Sequence, residues 1–202
     1  SHHIAFFFAI AGCAALLAQA SNARVATVAA VYGVTLMTLF GISALYHRPM
    51  WGRRGRSIMR RLDHASIFIF IAGCYTPICI LGLPPQDARN LLTFVWLFAA
   101  AGAVHAVFFL HLFRTLNAVL FVAMGCAMIP YVPQLAVGVG TSSLALLLGG
   151  GAIYIAGAVV YSHRWPNPAP AVFGYHEVFH LMVILACSLH YAALFDLVSS
   201  AA

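Results

Sequence analysis

Two histidines spaced one helical turn apart, His176 and His180, carry the strongest chemical signal in this sequence. In an α-helix, residues i and i+4 project from the same face, so both imidazoles can point at one metal ion. The surrounding residues 173–190 are apolar and long enough to cross a bilayer, where unpaired ionisable groups are costly. The spacing is typical of a zinc site. The alternative is a pair of histidines that form hydrogen bonds between helices.

Glu177 completes the pattern His-Glu-x-x-His, in which the glutamate of a zinc protease acts as the general base. Glu177 is rotated by about 100° from His176 around the helix, so its role stays open. A protease of this type also needs a third ligand further along the chain, and Asp196 lies too far along the same helix to reach the site. His190 lies about 21 Å along the helix axis from His176, too far to share the metal, and its role also stays open.

A catalytic zinc site commonly has three protein ligands and an open position for water, so a third nitrogen should come from another helix. His47 is the candidate, Ser43 lies one turn before it on the same face, and Asp63 is the nearest carboxylate on the next helix. The alternatives are an interfacial histidine, a serine that bonds its own helix backbone, and an aspartate that pairs with the arginines just before it. The other helical histidines are expected to have structural or supporting roles: His64, His105 and His111.

The composition determines which solvent surrounds these residues. Of the 202 residues, 63% are hydrophobic and 7% are charged, and the mean hydropathy is +0.96. One soluble core cannot bury this much apolar surface, so we expect a multi-spanning membrane protein. The five cysteines fall in apolar stretches and form no Cys-x-x-Cys pair, so we interpret them as reduced packing residues. The sequence contains no nucleotide-binding loop, redox-cofactor motif or nucleic-acid module.

Seven apolar stretches are long enough to span a membrane. They cover roughly residues 4–20, 25–47, 62–83, 90–111, 115–133, 142–162 and 174–197. Backbone groups in lipid must be bonded within the segment, and strand-like alternation is absent. We therefore predict an all-α protein with seven transmembrane helices in one domain, residues 1–202. We expect further residues before Ser1, because no initiator methionine is present, and we expect the first helix to be retained, because no basic stretch precedes the cleavage-like residues 18–21.

The arginines predict the orientation of this bundle. All ten basic residues are arginines, and six lie between the second and third apolar stretches: Arg48, Arg53, Arg54, Arg56, Arg60 and Arg61. Positively charged loops face the cytoplasm, so this loop is predicted to lie inside, with the N-terminus inside and the C-terminus outside. The net charge of +6 is therefore attributed to membrane orientation and not to nucleic-acid binding. The polar candidate residues of the second, third and seventh helices then share the inner leaflet.

Three spaced motifs resemble the bacterial haemolysin III proteins, the prokaryotic branch of the progestin and adipoQ receptor family. They are Ser-Ala-Leu-Tyr-His at 43–47, Arg-Leu-Asp-His-Ala-Ser-Ile-Phe at 61–68 with Ala-Gly-Cys-Tyr-Thr-Pro at 72–77, and Phe-Gly-Tyr-His-Glu-Val-Phe-His at 173–180. The resemblance covers nearly the whole chain in order. It implies seven helices with the N-terminus inside, and zinc bound by His47, His176 and His180. It also implies that Asp63 and Ser43 support the metal or contact its water.

The same resemblance implies a function. For eukaryotic relatives of the adiponectin receptor and ceramidase type, it implies hydrolysis of a lipid amide such as ceramide; for the bacterial branch, it implies haemolysis and a role in membrane-lipid homeostasis. We therefore expect a zinc-dependent lipid hydrolase in the bacterial inner membrane, with membrane lipids as partners and with Asp63 and Ser43 as catalytic residues. The alternatives are a receptor, channel or pore-forming cytolysin with structural zinc, and a membrane metalloprotease. The substrate lipid and the oligomeric state stay open.

Overall fold

The computed structural model describes residues 2–48, 50–109, 114–170 and 172–201, which form an almost entirely helical bundle. Its α-helices are α1 His2–Gln19, α2 Ala23–Tyr46, α3 Arg53–Gly82, α4 Pro85–Phe109, α5 Arg114–Gly125, α6 Val132–Gly138, α7 Thr141–His163 and α8 Tyr175–Ser200. A 3-10 helix, Cys126–Tyr131, connects α5 to α6. Within these residues the β-structure is limited to one isolated bridge between Ala169 and Phe173.

Seven helical spans in this part of the chain are long and apolar enough to cross a membrane, as predicted. Six of them are single helices, and the remaining span, Leu116–Gly138, runs through α5, the 3-10 helix and α6. The all-α transmembrane class is therefore confirmed. The orientation of the bundle in the membrane and its organisation as one domain stay predictions.

Three predicted boundaries differ from the structure by about five residues or more. The fourth span begins at Pro85 and not near residue 90, and the other two differences have a physical reason. α3 begins at Arg53 and not near residue 62, so five of the six clustered arginines lie on a helix and not in a loop. Arginine is a good helix former, and hydropathy alone does not detect a charged helical extension. The turn expected at residues 134–141 is shorter than predicted, because α6 continues to Gly138 before the chain turns at Gly140 with a positive φ of 77°.

Neighbouring helices pack in sequence order from α1 to α4, and α7 packs along α8. α8 also contacts α1 and α3, which brings the first and last spans together. α3 is the most buried span: 72% of its most apolar 18 residues are buried, compared with 28% for α1 and α4. Because consecutive spans run antiparallel, α1, α3 and α8 begin at the end of the bundle where α2 finishes. We call this the histidine end, since it carries His2, His47 and His176.

Candidate metal centre

Three histidines from two helices meet at the histidine end. His47 follows the last residue of α2, and His176 and His180 lie in the first two turns of α8. One nitrogen from each ring lies within 4.8 Å of the others, and Nε2 of His47 is 3.3 Å from Nε2 of His176. Two nitrogens at tetrahedral positions on zinc, each bonded at about 2.0–2.1 Å, would be about 3.3 Å apart. The His47–His176 pair matches this spacing, and all three histidines lie within the reach of one metal ion.

The start of α8 is held in place by two side-chain caps. Oε2 of Glu177 accepts a hydrogen bond from the backbone N–H of Gly174 at 2.9 Å, and Oδ1 of Asn167 accepts one from the N–H of Tyr175 at 3.0 Å. An acidic residue in the first turn is also favoured by the helix dipole. The glutamate of the His-Glu-x-x-His pattern is thus a capping residue, and its oxygens lie outside the cluster of ligand nitrogens.

The cluster runs from the surface of the bundle into its interior. His47 is exposed, His176 is half-buried and His180 is only 8% exposed. Partial desolvation, followed by repulsion from His176, lowers the pKa of His47 to about 4. Its imidazole is therefore neutral at pH 7 and keeps the lone pair that a metal ligand needs.

Ser43 and Asp63 lie beside the cluster. Ser43 is one turn before His47 on α2 and is 4% exposed, and its hydroxyl interacts with the carboxyl group of Asp63 on α3. The predicted alternative for Asp63, an ion pair with Arg60 or Arg61, is not formed among the residues described. Oδ2 of Asp63 lies 3.9 Å from Nδ1 of the neighbouring His64. The two predicted catalytic side chains therefore lie together at the histidine end.

His2 belongs to the same group of side chains, and sequence reasoning missed it. Nδ1 of His2 is 2.7 Å from Oγ of Ser43, and both groups are buried. The ring of His2 stacks on the ring of His180, with centroids 3.9 Å apart and an interplanar angle of 20°. No local spacing relates residue 2 to residues 43 and 180. The only sequence signal is an ionisable residue in the first turn of an otherwise apolar span.

The remaining polar candidates have contacts away from the cluster. Nε2 of His190 is 3.0 Å from a backbone carbonyl of α7, and Asp196 accepts a hydrogen bond from Ser143 at 2.6 Å. Both contacts join α7 to α8 beyond the reach of the metal cluster, as the axial spacing predicts. Nδ1 of His105 is 3.2 Å from a side-chain amide oxygen of α5, which supports the structural role expected for it. His111 lies outside the described residues.

A seven-span helical bundle with a three-histidine cluster at one end defines a heptahelical membrane protein with a candidate metal centre. A family model described as Haemolysin-III related matches residues 1–191, so the chain belongs to the haemolysin III family. The resemblance seen in the three sequence motifs is thereby confirmed.

Relatives of this chain occur in bacteria, animals and plants. It is 29% identical to the "Hemolysin-3 homolog" of Bacillus subtilis (strain 168) over 154 residues, which cover 76% of this chain and 69% of that protein. It is 27% identical to the "Monocyte to macrophage differentiation factor" of Homo sapiens over 193 residues, covering 92% and 76% of the two chains. It is also 30% identical to the "Heptahelical transmembrane protein ADIPOR2" of Oryza sativa subsp. japonica over 181 residues, covering 81% and 78%. Similarity to adiponectin-receptor-type proteins is therefore also confirmed.

Proposed function

We propose that this protein is a zinc-dependent hydrolase that cleaves a lipid amide or ester within the membrane and acts in membrane-lipid homeostasis. The observation that supports it best is the cluster of His47, His176 and His180, next to Asp63 and Ser43 at the histidine end. Three protein ligands leave a tetrahedral ion one open position, which is the catalytic pattern; structural zinc sites have four. The bacterial relatives favour a location in the bacterial inner membrane, and the arginine distribution favours a site near the inner leaflet.

The side chains divide the chemistry among them. When bound, zinc would polarise the carbonyl of the lipid and lower the pKa of a water ligand towards about 7. Asp63 would accept a proton from the attacking water and return it to the leaving amine or alcohol. Ser43 would orient the Asp63 carboxyl through its hydroxyl, and His2 would orient Ser43. Lipid is the natural substrate class, because the helices around the site face hydrocarbon.

Separate variants of the ligands and of Asp63 test this proposal. His176→Ala should lose bound zinc, measured by metal analysis of the purified protein, because two histidines rarely hold zinc tightly. Asp63→Asn should keep zinc but release fatty acid from ceramides and bacterial N-acyl lipids about 100-fold more slowly or worse, because the proton carrier is removed. A chelator should abolish the release in the unaltered protein.

His163→Ala is the matched control, since His163, the last residue of α7, is exposed near the same end and lies outside the cluster. It should keep both zinc and activity. Full zinc content in the His176→Ala variant would contradict the proposed metal site. If the unaltered protein contains zinc but releases no fatty acid from a broad panel of lipids, the proposed hydrolase activity is contradicted.

A second candidate is a receptor or pore-forming cytolysin in which zinc is structural. It is favoured by the names of two relatives, the "Hemolysin-3 homolog" of Bacillus subtilis (strain 168) and the "Hemolysin-3" of Bacillus cereus. This function predicts leakage of dye-loaded vesicles that Asp63→Asn does not change, together with no release of fatty acid. The hydrolase predicts the reverse.

A further inference from the structure

The first turns of α3 form a basic amphipathic segment, residues 53–62, at the histidine end. At about 100° per residue, its five arginines fall within an arc of about 160°. The three apolar side chains Ile58, Met59 and Leu62 fall on the opposite side, where Ile58 and Leu62 are exposed and Met59 is buried. The five arginines are Arg53, Arg54, Arg56, Arg60 and Arg61. A helix with one basic and one apolar face lies at a membrane surface.

The positive charge of this segment is not balanced by the rest of the chain. None of its five arginines forms an ion pair or a side-chain hydrogen bond within the described residues. The two acids at this end have other partners: Glu177 accepts from the N–H of Gly174, and Asp63 interacts with Ser43 and His64. The first three, Arg53, Arg54 and Arg56, are exposed and available to an outside ligand.

The N-terminus of α3 adds to this unbalanced positive charge. Its N-cap is Gly52, which provides no side-chain cap, and its first turn contains no acidic residue. The unbonded N–H groups and the dipole of a helix N-terminus favour an anion, whereas arginines in the first turn are unfavourable there. The segment therefore combines uncompensated arginines with an uncapped helix start, and an external anion would satisfy both.

The position of Arg56 connects this segment to the histidine cluster. Arg56 follows Gly55, which packs against the ring of Trp51, and the charge of Arg56 acts on His47. The indole N–H of Trp51 donates to the backbone carbonyl of Leu45 at 2.7 Å, which ties the start of the segment to the end of α2. Ser43 precedes His47 by one turn of α2, so it lies about 6 Å deeper in the bundle. An anion bound at Arg56 would thus sit at the outer edge of the cluster.

We propose that the basic segment binds the phosphate of an anionic phospholipid and that Arg56 positions this lipid for the histidine cluster. The phosphate would be held at the uncapped start of α3, and the acyl carbonyls, which lie deeper in the bilayer, would reach the level of the cluster. The second part rests on the proposed function and narrows its substrate class to lipids with an anionic phosphate headgroup. Membrane lipid is the occupant because the arginine face of the segment continues along α3 into the half-buried side chains Ile67 and Ile71, where an acyl chain can pack.

Lipid competition tests the binding site without any reaction. The purified full chain is incubated with equal amounts of phosphatidylglycerol and phosphatidylcholine, and the bound lipids are counted by native mass spectrometry. Phosphatidylglycerol should be preferred, and Arg56→Gln should reduce the preference about fivefold, since one arginine near an anionic surface contributes about that factor. Arg89→Gln removes the same charge at the other end of the bundle and should leave the preference unchanged. No preference in the unaltered protein, or equal effects of both variants, would overturn the site.

Arg53→Gln/Arg54→Gln provides a second variant for the binding site, should Arg56→Gln fail to give folded protein, and it should reduce the preference further. The substrate role has its own measurement. For an anionic lipid substrate, Arg56→Gln should raise KM about fivefold and leave kcat unchanged. If the protein prefers phosphatidylglycerol but hydrolyses no lipid, the proposed hydrolase function is contradicted and the headgroup site is still supported. If the protein hydrolyses neutral lipids but shows no preference for phosphatidylglycerol, only the proposed headgroup site is contradicted.

Discussion

His2 makes two separable contacts at the histidine end, a ring stacked on His180 and a hydrogen bond with Ser43. His2→Phe keeps an aromatic ring but removes the nitrogen, whereas His2→Asn loses the ring but can place an amide atom where Nδ1 lies. If the hydrogen bond orients Ser43, the Phe variant should hydrolyse lipid about 10-fold more slowly with its zinc retained, as expected for about 1.5 kcal/mol of lost orientation. The Asn variant should recover most of the rate. Fatty-acid release and zinc content check both expectations.

The opposite result for the two His2 variants would indicate a packing role for this residue. A Phe variant with a normal rate, next to an Asn variant that loses zinc, would show that His2 supports His180 by packing and has no part in orienting Ser43. In that case the contact between Ser43 and Asp63 would have to be maintained by α2 and α3 alone.

The individual residues of this site could be predicted to different degrees. The i, i+4 spacing predicts that His176 and His180 share a face, and the structure brings both together with His47, as the family resemblance implies. His2 could not be predicted, because its partners are separated from it by 41 and 178 residues along the chain. Periodicity reports only neighbours on the same helix, and contacts between helices depend on how the spans pack.

The fifth span shows how an interrupted helix is tolerated inside a membrane. A 3-10 helix containing Pro130 interrupts it at Cys126–Tyr131, and backbone groups there lack their regular α-helical partners. The hydroxyl of Tyr75 on α3 lies 3.0 Å and 2.8 Å from the carbonyl oxygens of Met124 and Gly125, and it accepts the N–H of Met128 at 3.1 Å. One side chain from the buried α3 thus satisfies backbone groups that lipid could not.

Tyr75→Phe should destabilise the protein by about 1–3 kcal/mol, because backbone groups at the break would lose their hydrogen-bond partner inside a membrane span. Thermal unfolding in detergent measures this as a drop in Tm. Tyr191→Phe is the matched control, since the Tyr191 hydroxyl donates at 3.0 Å to the carbonyl of Gly12, which lies inside the regular helix α1. Its loss should therefore be smaller. Equal changes in Tm for the two variants would contradict the special role of Tyr75.

The positions of the membrane spans follow the hydropathy of the sequence. They differ from it where helix propensity or a contact with another helix determines the structure. Seven apolar stretches became seven spans, because lipid requires each crossing to bond its own backbone. The start of α3 was missed, because arginines have high helix propensity but no hydropathy signal. The break in the fifth span was also missed, since the tyrosine that stabilises it lies on another helix.

At the scale of the whole molecule, the histidine end and the opposite end differ strongly in positive charge. Eight of the ten arginines lie at the histidine end or in its loops: Arg48, Arg53, Arg54, Arg56, Arg60, Arg61, Arg114 and Arg164. Only Arg24 and Arg89 lie at the other end. The seven spans found in the described residues put residues 2 and 201 on opposite sides of the membrane, and the charge difference predicts that residue 2 is on the inside.

Reporter fusions at the C-terminus test this orientation in a bacterial host. Alkaline phosphatase, which is active only outside the cytoplasm, should be active when fused after residue 202, and green fluorescent protein fused at the same place should stay dark. Arg53→Gln/Arg54→Gln/Arg56→Gln should convert part of the population to the reverse orientation, because it removes exposed positive charge next to two spans, whereas Arg89→Gln should not. A fluorescent C-terminal fusion of the unaltered chain would place the histidine cluster at the outer leaflet. The side chains could then perform the same chemistry, but the lipids within their reach would be those of the opposite leaflet.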